Sequence, residues 1–207
     1  MMLIIGLTGS IGMGKTTVGE YFAGQGIPVL DADSIVHRLY EGEAVTPIEH
    51  TFPGTTANGK VDRAKLSKAV MMHPNGFRRL EALVHPLVVH EKWEFVKACH
   101  EADEPMCVID TPLLFEAGGE ELVDVIVVAS APEDVQTERV MQRPGMTTEK
   151  LDAIMARQLS DAEKRNRADF VIDTGLPWEE TLQQLDELLE SLKSCEGDAY
   201  DRWLTLY

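Results

Sequence analysis

GSIGMGKT, from Gly9 to Thr16, decides the reading of this 207-residue chain. It follows the apolar run Leu3-Ile4-Ile5-Gly6-Leu7 and opens a segment of helical character, Lys15 to Phe22. Gly9, Gly14, Lys15 and Thr16 satisfy the spacing G-x-x-x-x-G-K-[ST] in the strand–loop–helix setting that this motif requires. Glycine lets the backbone turn tightly and aim successive N–H groups at one anion. A helix beginning at Lys15 adds the positive end of its dipole at the same place. The spacing predicts a polyphosphate cradle from Gly9, Ser10, Ile11, Gly12, Met13 and Gly14, continued by Lys15, Thr16 and Thr17. Within it Lys15 is expected at the β- and γ-phosphates of a nucleoside triphosphate, and the Thr16 hydroxyl on Mg²⁺.

Downstream, Gly24 and Gly26 stop the first helix, and Ile27-Pro28-Val29-Leu30 reads as a second strand ending in Asp31-Ala32-Asp33. Extended chain would put both carboxylates on one side. Two readings of Asp33 stand on spacing alone: a proton acceptor for a substrate hydroxyl, or the N-cap of a helix from Ser34 to Tyr40. Further strands are expected at Met106–Ile109, Val123–Ala129 and Phe170–Asp173. The VDVIVVA run is apolar almost throughout, as the centre of a parallel sheet requires. Asp110 follows a buried run, where an acid on the Mg²⁺ side of such a site belongs, alone or through water. A plain strand-end turn aspartate is the alternative. Leu113, Leu114 and Phe115, in the loop after it, must either fill core or pack on a ligand.

Five strands separated by helices predict an α/β fold in three layers, with a five-stranded parallel sheet and right-handed crossovers. A ligand then sits at the carboxyl ends of the strands. The expected core comprises residues 1–42, 103–135 and 160–193. Residues 43–102 read as a helical insertion. There Asp62 caps a helix to Met72, Asn58-Gly59 forms a turn, and Leu80, Leu83, Val84, Leu87 and Val88 make a buried stripe. Pro86 inside that stripe predicts a kink or a fresh helix start. A helix from Glu133 carries Arg139; after the break at Arg143-Pro144-Gly145 a second is expected from Thr147 to Leu159. Residues 136–159 therefore read as a lid. Residues 178–192 form an amphipathic helix, and residues 194–207 a polar tail that either docks or frays.

A formal net charge of -16 excludes a general nucleic-acid or anionic-membrane surface. No apolar stretch reaches membrane-spanning length. The three cysteines, Cys99, Cys107 and Cys195, lack metal spacing and form no disulfide framework, which suits a cytoplasmic protein. Against this acidic background, basic residues gather between Arg139 and Arg167. Arg139, Arg143 and Arg157 are candidates for neutralising a transferring phosphoryl group; a solvated helix face is the alternative.

GLTGSIGMGKT at 6–16, DAD at 31–33, Leu83-Val84-His85-Pro86, DTPLLFE at 110–116, and Arg157-Gln158 followed by Lys164 and Ala168-Asp169 together resemble the dephospho-CoA kinase family. The resemblance runs in order from about residue 3 to 175. It implies transfer of the ATP γ-phosphate to the ribose 3′-hydroxyl of dephospho-CoA, with 43–102 as the CoA-binding insertion. It implies Asp33 as base, Lys15, Thr16 and Mg²⁺ on the phosphates, and Arg143 and Arg157 acting from the lid. His85 and the loop Asp110, Leu113, Leu114, Phe115 and Glu116 would lie near the acceptor. Two positions depart from the family pattern: Ser10, where glycine is common, and Thr174, where asparagine is. No partner beyond dephospho-CoA and ATP is implied, and a monomer or weak homo-oligomer is expected. A kinase for a nucleoside monophosphate or a sugar acid would share the core. A regulatory GTPase would need an N-K-x-D-type segment, which the chain lacks.

Overall fold

The computed structural model describes residues 2–206. The chain divides into two compact units, one formed by the segments up to Leu30 and from Val96 onward, the other by Asp31–Phe95.

In the first unit the N-terminal apolar run becomes β1 (Leu3–Thr8), all six residues of which are buried. A strand covered on both faces cannot alternate, which explains the unbroken apolar run. It lies at the centre of a five-stranded sheet. With β2 (Val29–Asp31), β5 (Met106–Asp110), β6 (Val125–Ser130) and β7 (Phe170–Asp173), the spatial order is β2-β5-β1-β6-β7. β1 pairs in parallel with β5 (Ile5 beside Val108) and β6 (Ile5 beside Val125), and β6 with β7. α1 (Lys15–Gly24) and α9 (Trp178–Leu192) bury Val18, Phe22, Leu185 and Leu188 against Ile5, Leu7, Val108 and Val127. Each such fully buried aliphatic side chain contributes about 1.5–3 kcal/mol. Cys107 of β5 and Cys99, near the end of α5 (Gly76–Glu101), are both buried, and each thiol perturbs the other. The three-layer α/β expectation is met, and the cysteines are free.

The tail docks. α10 (Ala199–Leu206) buries Trp203, whose indole N–H donates to Leu122 O at 2.9 Å, and Tyr200 stacks on His100. Asp124 accepts the N–H groups of Asp198 and Ala199 at 2.7 Å.

The second unit holds α2 (Ala32–Leu39), α3 (Val45–Thr51), a hairpin of β3 (Thr56–Ala57) and β4 (Lys60–Val61), α4 (Arg63–Met72) and most of α5. Asn58 and Gly59, at φ 52° and 75°, make the hairpin turn. The sequence marked that turn but not its two-residue strands, too short to show alternation. Asp62 caps α4 by accepting Lys65 N–H at 3.0 Å, as expected.

Three local expectations need correcting. α5 runs unbroken through Pro86, so there is no fresh start there. Proline removes one hydrogen bond, and a 26-residue helix sustains that loss; of the stripe expected to be buried only Val84 is, while Leu80, Leu83, Leu87 and Val88 are half-buried. The segment 147–159 is not one helix. α7 (Thr148–Met155) ends early, and α8 (Asp161–Arg167) starts on a Ser160–Glu163 capping box. Asp31 and Asp33 are not paired along extended chain, because α2 begins at Ala32.

Candidate active site

The loop from Gly9 to Gly14 leaves the end of β1 and enters α1. Gly12 and Gly14 sit at φ 80° and 79°, where side chains are strained. Space forbids them as well: a Cβ on Gly14 would stand 2.4 Å from Thr174 Oγ1. The first turn of α1 leaves amides without intrahelical acceptors, the arrangement that receives an anion.

Residues distant in sequence hold this loop in place. Gln136, buried on α6 (Glu133–Met141), donates to Ile11 O at 2.7 Å, while Ile11 N–H donates to Gln158 Oε1 at 3.2 Å. Thr174 Oγ1 donates to Met13 O at 2.9 Å and accepts from Arg139 Nη1 at 3.0 Å; Arg139 Nη2 also donates to Thr174 O at 2.7 Å. Met13 is buried, and its sulfur accepts Ala131 N–H at 3.1 Å. Ser10 is buried with its hydroxyl unpartnered among the described residues, so it serves the loop through its backbone.

Lys15 Nζ forms an ion pair with Asp110 Oδ1, joining the loop to the end of β5. The other carboxylate oxygen of Asp110 lies against α1, 3.8 Å from where a Cβ on Gly19 would be. The Thr16 side chain is exposed. Among the described residues no group of three His, Cys, Asp or Glu side chains is placed to hold a metal. One hydroxyl and one carboxylate suit Mg²⁺, which completes its shell with water and phosphate oxygens rather than an all-protein cage.

The loop after β5 is fixed by charge. Lys164 is fully buried, and its ammonium donates to Pro112 O at 2.7 Å and pairs with Glu116 at 3.1 Å. Burial pushes the Lys164 ammonium below the usual lysine range, against the opposing pull of Glu116. Glu116 also accepts Leu159 N–H at 2.7 Å. Leu114 and Phe115 are 2% and 6% exposed, and Arg167 lies 4.3 Å over the Phe115 ring. Of the three apolar loop residues only Leu113, 41% exposed, has surface to offer a ligand. Arg143 and Arg157 are exposed, the first in the turn after α6 and the second after α7.

In the second unit the two aspartates separate in role. The helix cap is Asp31, which accepts Asp33 N–H at 2.9 Å; the capping reading of Asp33 is therefore corrected. Asp33, in the first turn of α2, lines a cavity of about 550 Å³. Val36, Leu66, Val70, Phe77 and Leu80 give that cavity apolar walls, and Tyr40, Ser67 and Arg63 add polar groups. His85 is exposed on α5 and outside this lining. The sequence carried no motif for Tyr40, Arg63 or Phe77, nor for the buried glutamine at 136.

A glycine cradle on a helix N-terminus, a lysine in its first turn and an acid ending the neighbouring parallel strand define a P-loop kinase. Residues 3–177 match the family model CoaE, dephospho-CoA kinase, and the chain belongs to that family. It is 52% identical over 190 residues to the dephospho-CoA kinase of Rhodopseudomonas palustris, covering 92% of this chain and 96% of the relative. Among solved structures it is similar to TT1252 from Thermus thermophilus, with a TM-score of 0.80, 32% identity, and 95% and 99% of the two chains covered. The fold also matches a dephospho-CoA kinase from Campylobacter jejuni, with a TM-score of 0.71, 24% identity, and 93% and 98% coverage.

Proposed function

We propose that this protein transfers the terminal phosphoryl group of ATP to the ribose 3′-hydroxyl of dephospho-CoA, giving coenzyme A and ADP. The observation that carries the acceptor side is the Asp33 carboxylate, relieved of capping by Asp31 and facing a cavity with apolar walls. A small sugar acid would leave those walls wet; an adenosine carrying a long arm covers them.

The residues Gly9 to Thr17 bind the polyphosphate, and Lys15 moves from Asp110 onto the β- and γ-oxygens as ATP enters. Thr16 and Asp110, the latter through water, would hold Mg²⁺, which neutralises charge on the phosphates. Asp33 accepts the proton of the acceptor hydroxyl, worth roughly 10²–10⁴-fold in rate. The transition state is loose, so positioning and charge neutralisation supply most of the acceleration. Arg143 and Arg157 provide part of that charge from a lid within 136–159, outside the bracing residues Gln136, Arg139 and Gln158, and its closure excludes water as a competing acceptor. Residues 43–102 receive the acceptor, with Leu113 and His85 at its margins. Glu116, Leu114 and Phe115 act on it indirectly, by shaping the loop.

Among the described residues no helix is long and apolar enough to cross a membrane. The reading places the enzyme in the cytoplasm as a monomer or weak homo-oligomer. Incubating the protein with γ-labelled ATP and dephospho-CoA, AMP or shikimate tests the acceptor. Label is expected on dephospho-CoA; preference for AMP or shikimate overturns the assignment.

A further inference from the structure

The cavity beside Asp33 contains a cation that the phosphate cradle does not use. Arg63 is the first residue of α4, held there by the Asp62 cap. Its Nη2 donates to His37 Nδ1 at 2.9 Å, and its guanidinium lies 5.6 Å over the Tyr40 ring. Those two partners orient the guanidinium without cancelling its charge, because neither is an anion: one is an imidazole nitrogen and the other the π-face of a phenol. Glu41 is the carboxylate that feels Arg63, but Lys60 holds it at 2.8 Å. Lys60 is also the main cause of its carboxyl lying below the usual range, with His37 and Arg63 contributing less. The other edges of the guanidinium present N–H donors in a fork that matches two oxygens of a phosphate.

A ligand matching this cavity needs an alcohol for Asp33, an anion for Arg63, and an apolar body along Val36, Leu66, Val70, Phe77 and Leu80. We propose that Arg63 binds the 5′-diphosphate of the acceptor, and that its contact separates dephospho-CoA from acceptors bearing the same ribose without that group. The inference rests on the acceptor reading above and adds a determinant of specificity. Charge-assisted, two-pronged hydrogen bonds to a phosphate are the strong class, so losing them raises KM by about 10–100-fold.

The test compares wild type, Arg63→Gln and Arg63→Lys with dephospho-CoA and with adenosine as acceptors. Arg63→Gln should raise KM for dephospho-CoA at least about tenfold, leave KM for ATP within about twofold, and leave kcat/KM for adenosine unchanged. Arg63→Lys, which keeps the charge and loses the fork, should fall between. An equal loss for adenosine and dephospho-CoA would make Arg63 a wall or ribose contact and overturn the proposal. So would an unchanged KM for dephospho-CoA in Arg63→Gln, with phosphorylation by the wild type intact. A wild-type enzyme inert toward dephospho-CoA would overturn the acceptor reading itself, and this inference with it.

Discussion

The Asp31 carboxylate accepts the backbone N–H of Asp33 at 2.9 Å, so two acids two positions apart divide the work of a helix cap and a site wall. This division carries the first prediction. Asp33→Asn should lower kcat by about 10²–10⁴ with little change in KM for ATP. Asp31→Ala should instead cost about 0.5–2 kcal/mol of stability, seen as a lower Tm, with a far smaller effect on kcat. Steady-state kinetics beside thermal melts separate the two; a kcat that survives Asp33→Asn would take the proton transfer away from that side chain.

Lys15 is paired with Asp110, and its proposed place on the phosphates requires that pairing to yield. Lys15→Ala should cut turnover by at least about 10²–10³-fold, the usual loss of one electrostatic donor at a transition state. Rapid-quench measurement of ADP formation reads it directly. Near-normal turnover would remove the lysine from the reaction.

Thr174 stands against Gly14, and its hydroxyl links Met13 O to Arg139. Thr174→Val keeps the shape and deletes the hydroxyl, leaving the buried Met13 carbonyl short of a partner, at about 1–3 kcal/mol, and loosening the half-buried Arg139. KM for ATP should rise roughly tenfold or more, while KM for the acceptor holds; Thr174→Ser should stay close to wild type. Equal rises in both KM values would show a general loss of structure rather than a loosened cradle.

Tyr21 donates to Asp186 at 2.6 Å, and burial first, then that carboxylate, push its phenol up to about 12. A raised folded pKa means the folded protein retains a proton that the unfolded chain gives up near pH 10. The stability this supplies is fully present below about pH 10 and is lost as pH climbs from about 10 to about 12. Burial raises the Tyr40 phenol as well, so absorbance at a phenolate wavelength should show more than one tyrosine ionising late; Tyr21→Phe should remove the step near 12 and flatten the alkaline fall in stability. A step near 12 that persists in Tyr21→Phe belongs to another tyrosine.

Much of the fold is legible because the signals are local. Apolar runs gave β1, β5, β6 and β7 within a residue or two, and Asp62, Asn58-Gly59 and Arg143-Pro144-Gly145 marked a cap, a turn and a break. The capping box at Ser160–Glu163 was equally visible as S-x-x-E, yet the expected helix was ended at Leu159 and none was read from Asp161. Lys164 reads as one more surface cation in a basic stretch. Only the burial of its neighbours shows that it pins the loop at Pro112 and Glu116.

The chain's one-dimensional order was enough to determine the phosphate cradle, the parallel sheet and the strand-end acids. Backbone conformation and hydrogen bonding over a few residues set each of these, and glycine, lysine and aspartate at given spacings have few other uses. Three-dimensional packing alone decided which aspartate caps, which of Leu113, Leu114 and Phe115 keeps an open surface, and how Gln136, Gln158, Arg139 and Thr174 brace the loop. It also gathered Tyr40, Arg63 and Phe77 beside Asp33. Those outcomes depend on contacts between segments as much as 161 positions apart, and burial, which settles them, is a property no single stretch of sequence possesses.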